Sequence, residues 1–240
     1  MMKTDGLKII ILSVFLTFSC INVMGQKYNN IDKQGRRQGK WIEYFDNGKV
    51  RFEGQFKDDF PIGEFVYYNE SGAVKVRNNY SSDGSVAESV MYSDSGVVVA
   101  QGNYKNKRKD GLWRFFSEKD GSLILEENYL NGLQNGKSLA YSNGMVIEEV
   151  NYRNGVKHGF YNKYYDNGVP MMKACYKNGF LDGAFVSYYP NGVPKFEGMY
   201  TEGEKVGEWK TYDAEGNVVS VDVHHIENYD DPALKEVELE

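Results

Sequence analysis

Several things are scarce in this 240-residue chain, and each scarcity closes off a class of protein. Cysteine occurs twice, at Cys20 and Cys175, so no disulfide framework can carry the fold and packing has to do so. Histidine occurs three times, at His158, His224 and His225, which leaves little imidazole for a metal site or a general base. Proline numbers only 5, so little stands in the way of strand pairing. A basic excess is missing: 28 Lys and Arg face 34 Asp and Glu, a formal charge of −6. Neither nucleic acid nor purely electrostatic adhesion to anionic lipid is supported by that balance. Long apolar runs are also missing. The one unbroken stretch, residues 9–18 (IIILSVFLTF), is shorter than the ~20 residues a transmembrane helix needs.

That short run has a different meaning. Lys3 and Lys8 precede it, and Val23, Met24 and Gly25 follow before Gln26. This is the three-part pattern of a secretory signal peptide, residues 1–25, with cleavage near Gly25 and export to the periplasm or medium. An alternative is that residues 16–20 (LTFSC) resemble a bacterial lipoprotein cleavage site, with the chain anchored through Cys20. Taking Lys3 and Lys8 from the 28 basic residues and Asp5 from the 34 acidic ones leaves 26 and 33, a charge of −7.

What is abundant is aromatic and glycine: 15% of residues are Phe, Trp or Tyr, with 19 Tyr and 13 Phe, beside 26 Gly. They fall in columns. Leading glycines Gly39, Gly63, Gly111, Gly136, Gly159, Gly183 and Gly207 recur about every 24 residues, and Ala87 fills the one missing place. Two residues later stands an aromatic in six of eight repeats: Trp41, Phe65, Trp113, Tyr161, Phe185 and Trp209. Three residues further comes a ring in every repeat, from Tyr44 to Tyr212. A turn glycine follows, and then a closing ring at Phe56, Tyr80, Tyr104, Tyr129, Tyr152, Tyr176 and Tyr200, with His224 in the eighth.

Turn chemistry converts the columns into structure. Asn47-Gly48, Asn167-Gly168 and Asn191-Gly192 are Asn-Gly pairs, whose tolerance of positive φ makes them strong hairpin signals. A second set, Asn131-Gly132, Asn154-Gly155, Asn178-Gly179 and Glu202-Gly203, lies between hairpins. A lone hairpin is marginal in water, so the repeats must stack, each ring packing on the corresponding ring of the next. The sequence therefore predicts an all-β fold: an elongated single-layer twisted antiparallel sheet of eight hairpins over residues 39–226. The leading glycine is expected where the chain turns tightly or approaches its neighbour closely. Residues 26–38 form an N-terminal cap segment. Residues 227–240 form an acidic tail, in which Asp231-Pro232 could open a short helix. The third repeat, with its polar run at residues 78–85, reads either as drift or as a bend or binding loop.

Two segments carry a family resemblance. Residues 159–168 (GFYNKYYDNG) and 183–192 (GAFVSYYPNG), with a second Tyr after each, resemble the MORN repeat in its bacterial variant form. The resemblance extends over residues 39–224. It implies a scaffold that binds proteins, with phospholipid binding proposed for some such arrays. Chains of this kind are also similar to YwqK-type toxin–antitoxin family antitoxin proteins, which implies an antitoxin-like neutraliser as a further reading.

No constellation for catalysis emerges from the residues. His224 and His225 are strand neighbours and point to opposite faces, Cys175 has no base implied beside it, and the glycines open no phosphate loop. The chain is expected to be neither an enzyme nor a cofactor carrier. The candidate binding surface is the basic cluster Lys105, Lys107, Arg108 and Lys109, read as a solvated linker or as a site for a lipid headgroup or acidic partner. Surplus rings, among them Trp41, Trp113 and Trp209, are expected to line an open face suited to a protein or glycan. The expected function is an exported scaffold for an unknown protein partner at the cell envelope, with glycan or lipid-headgroup binding as the alternative.

Overall fold

In the computed structural model, which describes residues 28–225, every strand boundary falls on a turn of asparagine, aspartate or glycine. A short strand β1 (Asn30–Ile31) leads into β2 (Arg37–Tyr44) and β3 (Val50–Lys57). The second hairpin is β4 (Phe60–Tyr68) with β5 (Val74–Tyr80), and the third is β6 (Val86–Tyr92) with β7 (Val98–Lys105). Then follow β8 (Arg108–Phe116), β9 (Leu123–Leu130), β10 (Leu133–Ser142) and β11 (Met145–Arg153). The array continues through β12 (Val156–Tyr164), β13 (Pro170–Lys177), β14 (Phe180–Tyr188) and β15 (Pro194–Thr201), and the described part ends with β16 (Glu204–Tyr212) and β17 (Val218–His224). Each strand pairs antiparallel with the one before and after it, giving an open, unclosed sheet. At roughly 4.8 Å per strand such a sheet extends about 75 Å. The segments read as a signal peptide (with Cys20 and Gly25) and as an acidic tail lie outside the described residues.

The two kinds of turn are not equivalent, and this corrects the sequence reading. In the first kind only the glycine is left-handed, as at Gly48 (φ 81), while Asn47 keeps negative φ. The Asn47 side chain instead accepts the Lys49 N–H at 3.0 Å and donates to the Glu70 carbonyl of the next repeat at 3.1 Å. Asn167 and Asn191 reach the Pro190 and Ala214 carbonyls in the same way. Their asparagines are staples between neighbouring repeats. The two-residue turns with both residues at positive φ are mainly those between hairpins, such as Asn154-Gly155 (51 and 84) and Asn178-Gly179 (52 and 92).

The leading glycines are bulges. Gly63 (φ 63) opens a three-residue run, ending at Phe65, that lies opposite the single residue Gly54, because Glu53 pairs with Val66 and Gln55 with Ile62. Gly111 and Gly207 do the same opposite Gly102 and Gly198. In the third repeat Ala87 avoids the left-handed region and β5 pairs with β6 without a bulge. The interval from Tyr80 to Ala87 equals that from Phe56 to Gly63, so the residues released by the missing bulge enlarge the loop at residues 81–85.

Packing lies chiefly on one face. Rings of the second column alternate with the closing rings in an edge-to-face ladder: Trp41–Phe56 at 5.8 Å, Phe56–Phe65 at 5.1 Å and Phe65–Tyr80 at 5.3 Å. It resumes with Tyr104–Trp113 at 5.0 Å and ends with Phe185–Tyr200–Trp209–His224. Three of the second-column rings, Phe65, Trp113 and Trp209, lie flat on a glycine of the strand before. A Cβ at Gly54, Gly102 or Gly198 would stand 2.3–2.4 Å from the ring of Phe65, Trp113 or Trp209. The tightest approach thus belongs to this second glycine column. In the leading one Gly183, with a Cβ position 3.2 Å from the Cys175 Cβ, is the closest, and Gly39, Gly63, Gly111 and Gly207 have open space. The opposite face carries the other ring column, and three of its tyrosine hydroxyls go to carboxylates. Tyr68 donates to Glu53, Tyr141 to Glu126 and Tyr212 to Glu197.

The N-terminal segment closes the first edge. Asn29 takes the place of a strand residue, accepting the Ile42 N–H and donating to the Ile42 carbonyl, each at 2.8 Å. Asp32 holds the turn that brings it there, accepting from the Gln34 and Arg36 N–H groups and from Arg36 Nε and Gln38 Nε2. Those donors, the Arg36 backbone first, hold the Asp32 carboxyl down at about 2.

Candidate functional site

The tryptophans do not line an open face. Trp113 is fully buried and Trp209 is 4% exposed, while Trp41 is half-buried against Phe56. Trp113 and Trp209 donate Nε1–H to the Asn103 and Met199 carbonyls, so even their polar edges are used internally. Among the described residues no second layer covers the ring face, so the rings themselves supply most of what is buried there.

The basic cluster also separates. Lys105, Lys107 and Arg108 are exposed around the tight turn, with Lys107 in the left-handed region (φ 64). Lys109 turns inward. Its ammonium lies 4.5 Å from the Trp113 ring, 4.6 Å from Phe115 and 4.8 Å from Tyr129, and burial pushes its pKa down. It belongs to a column the sequence reading missed, a cation two places before the leading glycine. Arg37 lies over Phe56 at 3.8 Å, Lys157 over Tyr161 at 4.8 Å and Lys205 over Trp209 at 4.1 Å. The spacing Lys-x-Gly at Lys109, Lys157 and Lys205, with Arg37 before Gly39, was visible in the sequence as a signal.

Two repeats lack the second-column ring, and both have serine there. Ser138 is 8% exposed and pairs with Glu127, which also accepts from Tyr129 and from Gln134 Nε2 at 2.6 Å. A polar cluster occupies that break in the ladder. At Ser89 the outcome is different. The residue is 2% exposed, and a half-open cavity of about 670 Å³ lies against it. Tyr80 and Tyr104 stand on its two sides as Tyr200 and His224 stand beside Trp209. Asn78 replaces the ring-bearing glycine and Ser85 replaces the lid cation, so ring, bed and lid are all absent together.

The cavity has apolar walls, with Val76 and Met91 among them, and a polar floor. Ser89 Oγ and Asn78 Oδ1 are both buried there without a hydrogen-bond partner, while Asn78 Nδ2 donates to the Tyr80 hydroxyl at 3.2 Å. Burial pushes the phenols of Tyr67 and Tyr104 up, so both remain neutral donors. The loop at residues 81–85 forms one rim. Gly84 (φ 69) sits where a Cβ would come within 2.8 Å of the Pro61 carbonyl oxygen, and Asp83 accepts from Ser81 Oγ and from the Ser85 N–H and hydroxyl. The Ser81 hydroxyl foremost, these donors hold Asp83 down at about 2. An apolar hollow of this size with a few unfilled polar groups suits a binding site. The departure of the third repeat from the pattern thus has a structural counterpart in this hollow and its rim.

A further exposed feature follows the turn edge. Phe60, Leu133, Val156 and Phe180, each the first residue after a tight turn, are 60%, 51%, 46% and 61% exposed. Among the described residues no group of His, Cys, Asp and Glu is placed to hold a metal ion. His158 accepts the Asn178 N–H through Nδ1, and His224 packs edge-on to Trp209. Compared with known families, the chain matches the one described as MORN repeat variant at residues 37–58, 86–106, 157–178, 181–202 and 205–222. The third repeat is among the matched segments. No curated protein matches the chain.

Proposed function

Because the chain is a member of the MORN repeat variant family, a repeat scaffold, we propose that it is an exported, non-catalytic scaffold that binds a protein partner at the bacterial cell envelope. The observation that carries this reading is the row of exposed apolar side chains along the turn edge, beginning at Phe60 beside the open cavity of the third repeat. Exposed apolar side chains repeated along the edge of such an array are what a protein interface uses. Export is supported by the pattern of residues 1–25. Affinity capture from envelope fractions tests the whole reading. A defined protein should be retained by the wild-type chain and lost when Phe60, Leu133, Val156 and Phe180 are all changed to Ser; equal retention by that variant removes the turn edge from the interface.

The exposed trio Lys105, Lys107 and Arg108 favours a second reading, an anionic lipid headgroup. Charge reversal at the three should then abolish sedimentation with vesicles containing phosphatidylglycerol, and unchanged sedimentation removes this reading.

A further inference from the structure

We infer that the cavity of the third repeat is a receptor for a tryptophan side chain presented by the partner protein, an inference that rests on the scaffold reading above. The array shows how an indole is held on this face of the sheet. In the fourth and eighth repeats an indole lies on a glycine, Gly102 or Gly198, and is clasped edge-on by Tyr104 or by Tyr200 and His224. Its open side is covered by Lys109 or Lys205, and its N–H is given to a carbonyl. The third repeat keeps the flanking rings, Tyr80 and Tyr104, but has Ser89 where the indole would be and Ser85 where the covering cation would be. Asn78 takes the place of the glycine, so an incoming ring stands off from β5 by the width of the Asn78 side chain, with Lys107 at the rim. A ring can therefore enter from outside.

The two unpartnered atoms define the visitor further. Asn78 Oδ1 is an acceptor only, so the incoming ring must bring a donor, and Ser89 Oγ accepts or donates as required. An N–H delivered to Asn78 Oδ1 gives this buried acceptor a direct partner. Phenylalanine has the shape without the donor. Tyrosine and indole have both, and indole is the ring the adjoining fourth repeat seats on this face; at about 670 Å³ the hollow also admits backbone atoms beside it.

The test uses 5-fluoro-N-acetyl-tryptophanamide titrated into the full exported chain and followed by fluorine NMR, which the three native tryptophans do not disturb. Saturable one-site binding is expected, with N-acetyl-phenylalaninamide a poor competitor. Asn78→Leu, which keeps shape and removes the acceptor, should weaken binding about tenfold, the ratio that ~1.4 kcal/mol represents. Asn78→Gly with Ser89→Trp rebuilds the native ladder and should abolish binding. Ser85→Lys, a rim change that restores the lid, should abolish it without touching the fold. No saturable binding by wild type at millimolar probe, or undiminished binding in both blocked variants, overturns the inference.

The partner is tested separately. Captured protein released by the probe, and absent with the blocked variants, supports the assignment. Capture that is equal in wild type and blocked variants overturns it while leaving the scaffold reading intact. Probe binding with no protein captured by wild type overturns both, and marks the hollow as a small-molecule site.

Discussion

Two columns of glycine do different work in this sheet, and only one of them is defined by backbone angle. Gly111 has φ 73 with nothing near its missing Cβ, whereas Gly102 has a Cβ position 2.4 Å from the Trp113 ring. Gly111→Ala should cost about 1–2 kcal/mol through left-handed strain. Gly102→Ala should cost about 1–3 kcal/mol through overpacking. Coupling separates the two causes. With Trp113→Ala, itself worth about 3–5 kcal/mol, the Gly102 change should be well below additive and the Gly111 change nearly additive in denaturant melts. Full additivity at Gly102 would break the ring-on-glycine account. The leading glycines and the ring columns were legible in the sequence because they recur. Gly54, Gly102 and Gly198 were not, because other repeats hold Asn78, Val150 or Ala174 at that level and adapt the ring instead.

Among the elements, the tight turns and the cap carry the testable strain. Asn106-Lys107 makes the same turn as Asn154-Gly155, but Lys107 stands where glycine is unstrained. Lys107→Gly should raise stability by about 1 kcal/mol, read as a higher melting temperature. Asp59→Gly should not, since Asp59 also accepts from Arg37 N–H at 3.0 Å and Arg37 Nε at 2.9 Å. At the first edge the relevant group is Asp32. Its folded pKa of about 2 is below the ordinary aspartate value of about 3.9, so its contribution is present above that value and is lost as pH falls through about 2. Hydrogen exchange at the Ile42 amide, corrected for intrinsic rate, should therefore speed up between about pH 4 and pH 2. In Asp32→Asn it should be fast and flat across the same window; a wild-type profile without that step would discard the cap mechanism. The sequence marked a cap here, but the hydrogen bonds of Asn29 and Asp32 depend on how the chain folds back.

For the whole molecule, stability should be close to a sum of repeats and junctions, weakest where the ladder is broken. The break at Ser89 separates Trp41–Tyr80 from Tyr104–Trp113, and no ring bridges the cavity between them. Asn78→Gly with Ser89→Trp should join the two stretches and raise the melting temperature, provided indole refills the hollow as Trp113 fills its own site. Unfolding of the same variant at or below the wild-type temperature would mean that the missing bulge at Ala87, and not the missing ring, sets the weakness of the third repeat.

The sequence by itself determined the repeat, its length, the hairpin architecture, the closing role of His224 and the irregularity at Ala87, because turn chemistry and ring spacing are local and recur in eight copies. Only the tertiary structure decided which rings are used up. Whether a tryptophan faces solvent or lies on a glycine depends on the residue a strand away, and a lysine in a basic run becomes a lid only when three rings converge on it. The hollow at Ser89 is the clearest case. One serine in place of a ring is unremarkable in a sequence, and it opens a hollow only because Tyr80 and Tyr104 stay where the sheet puts them.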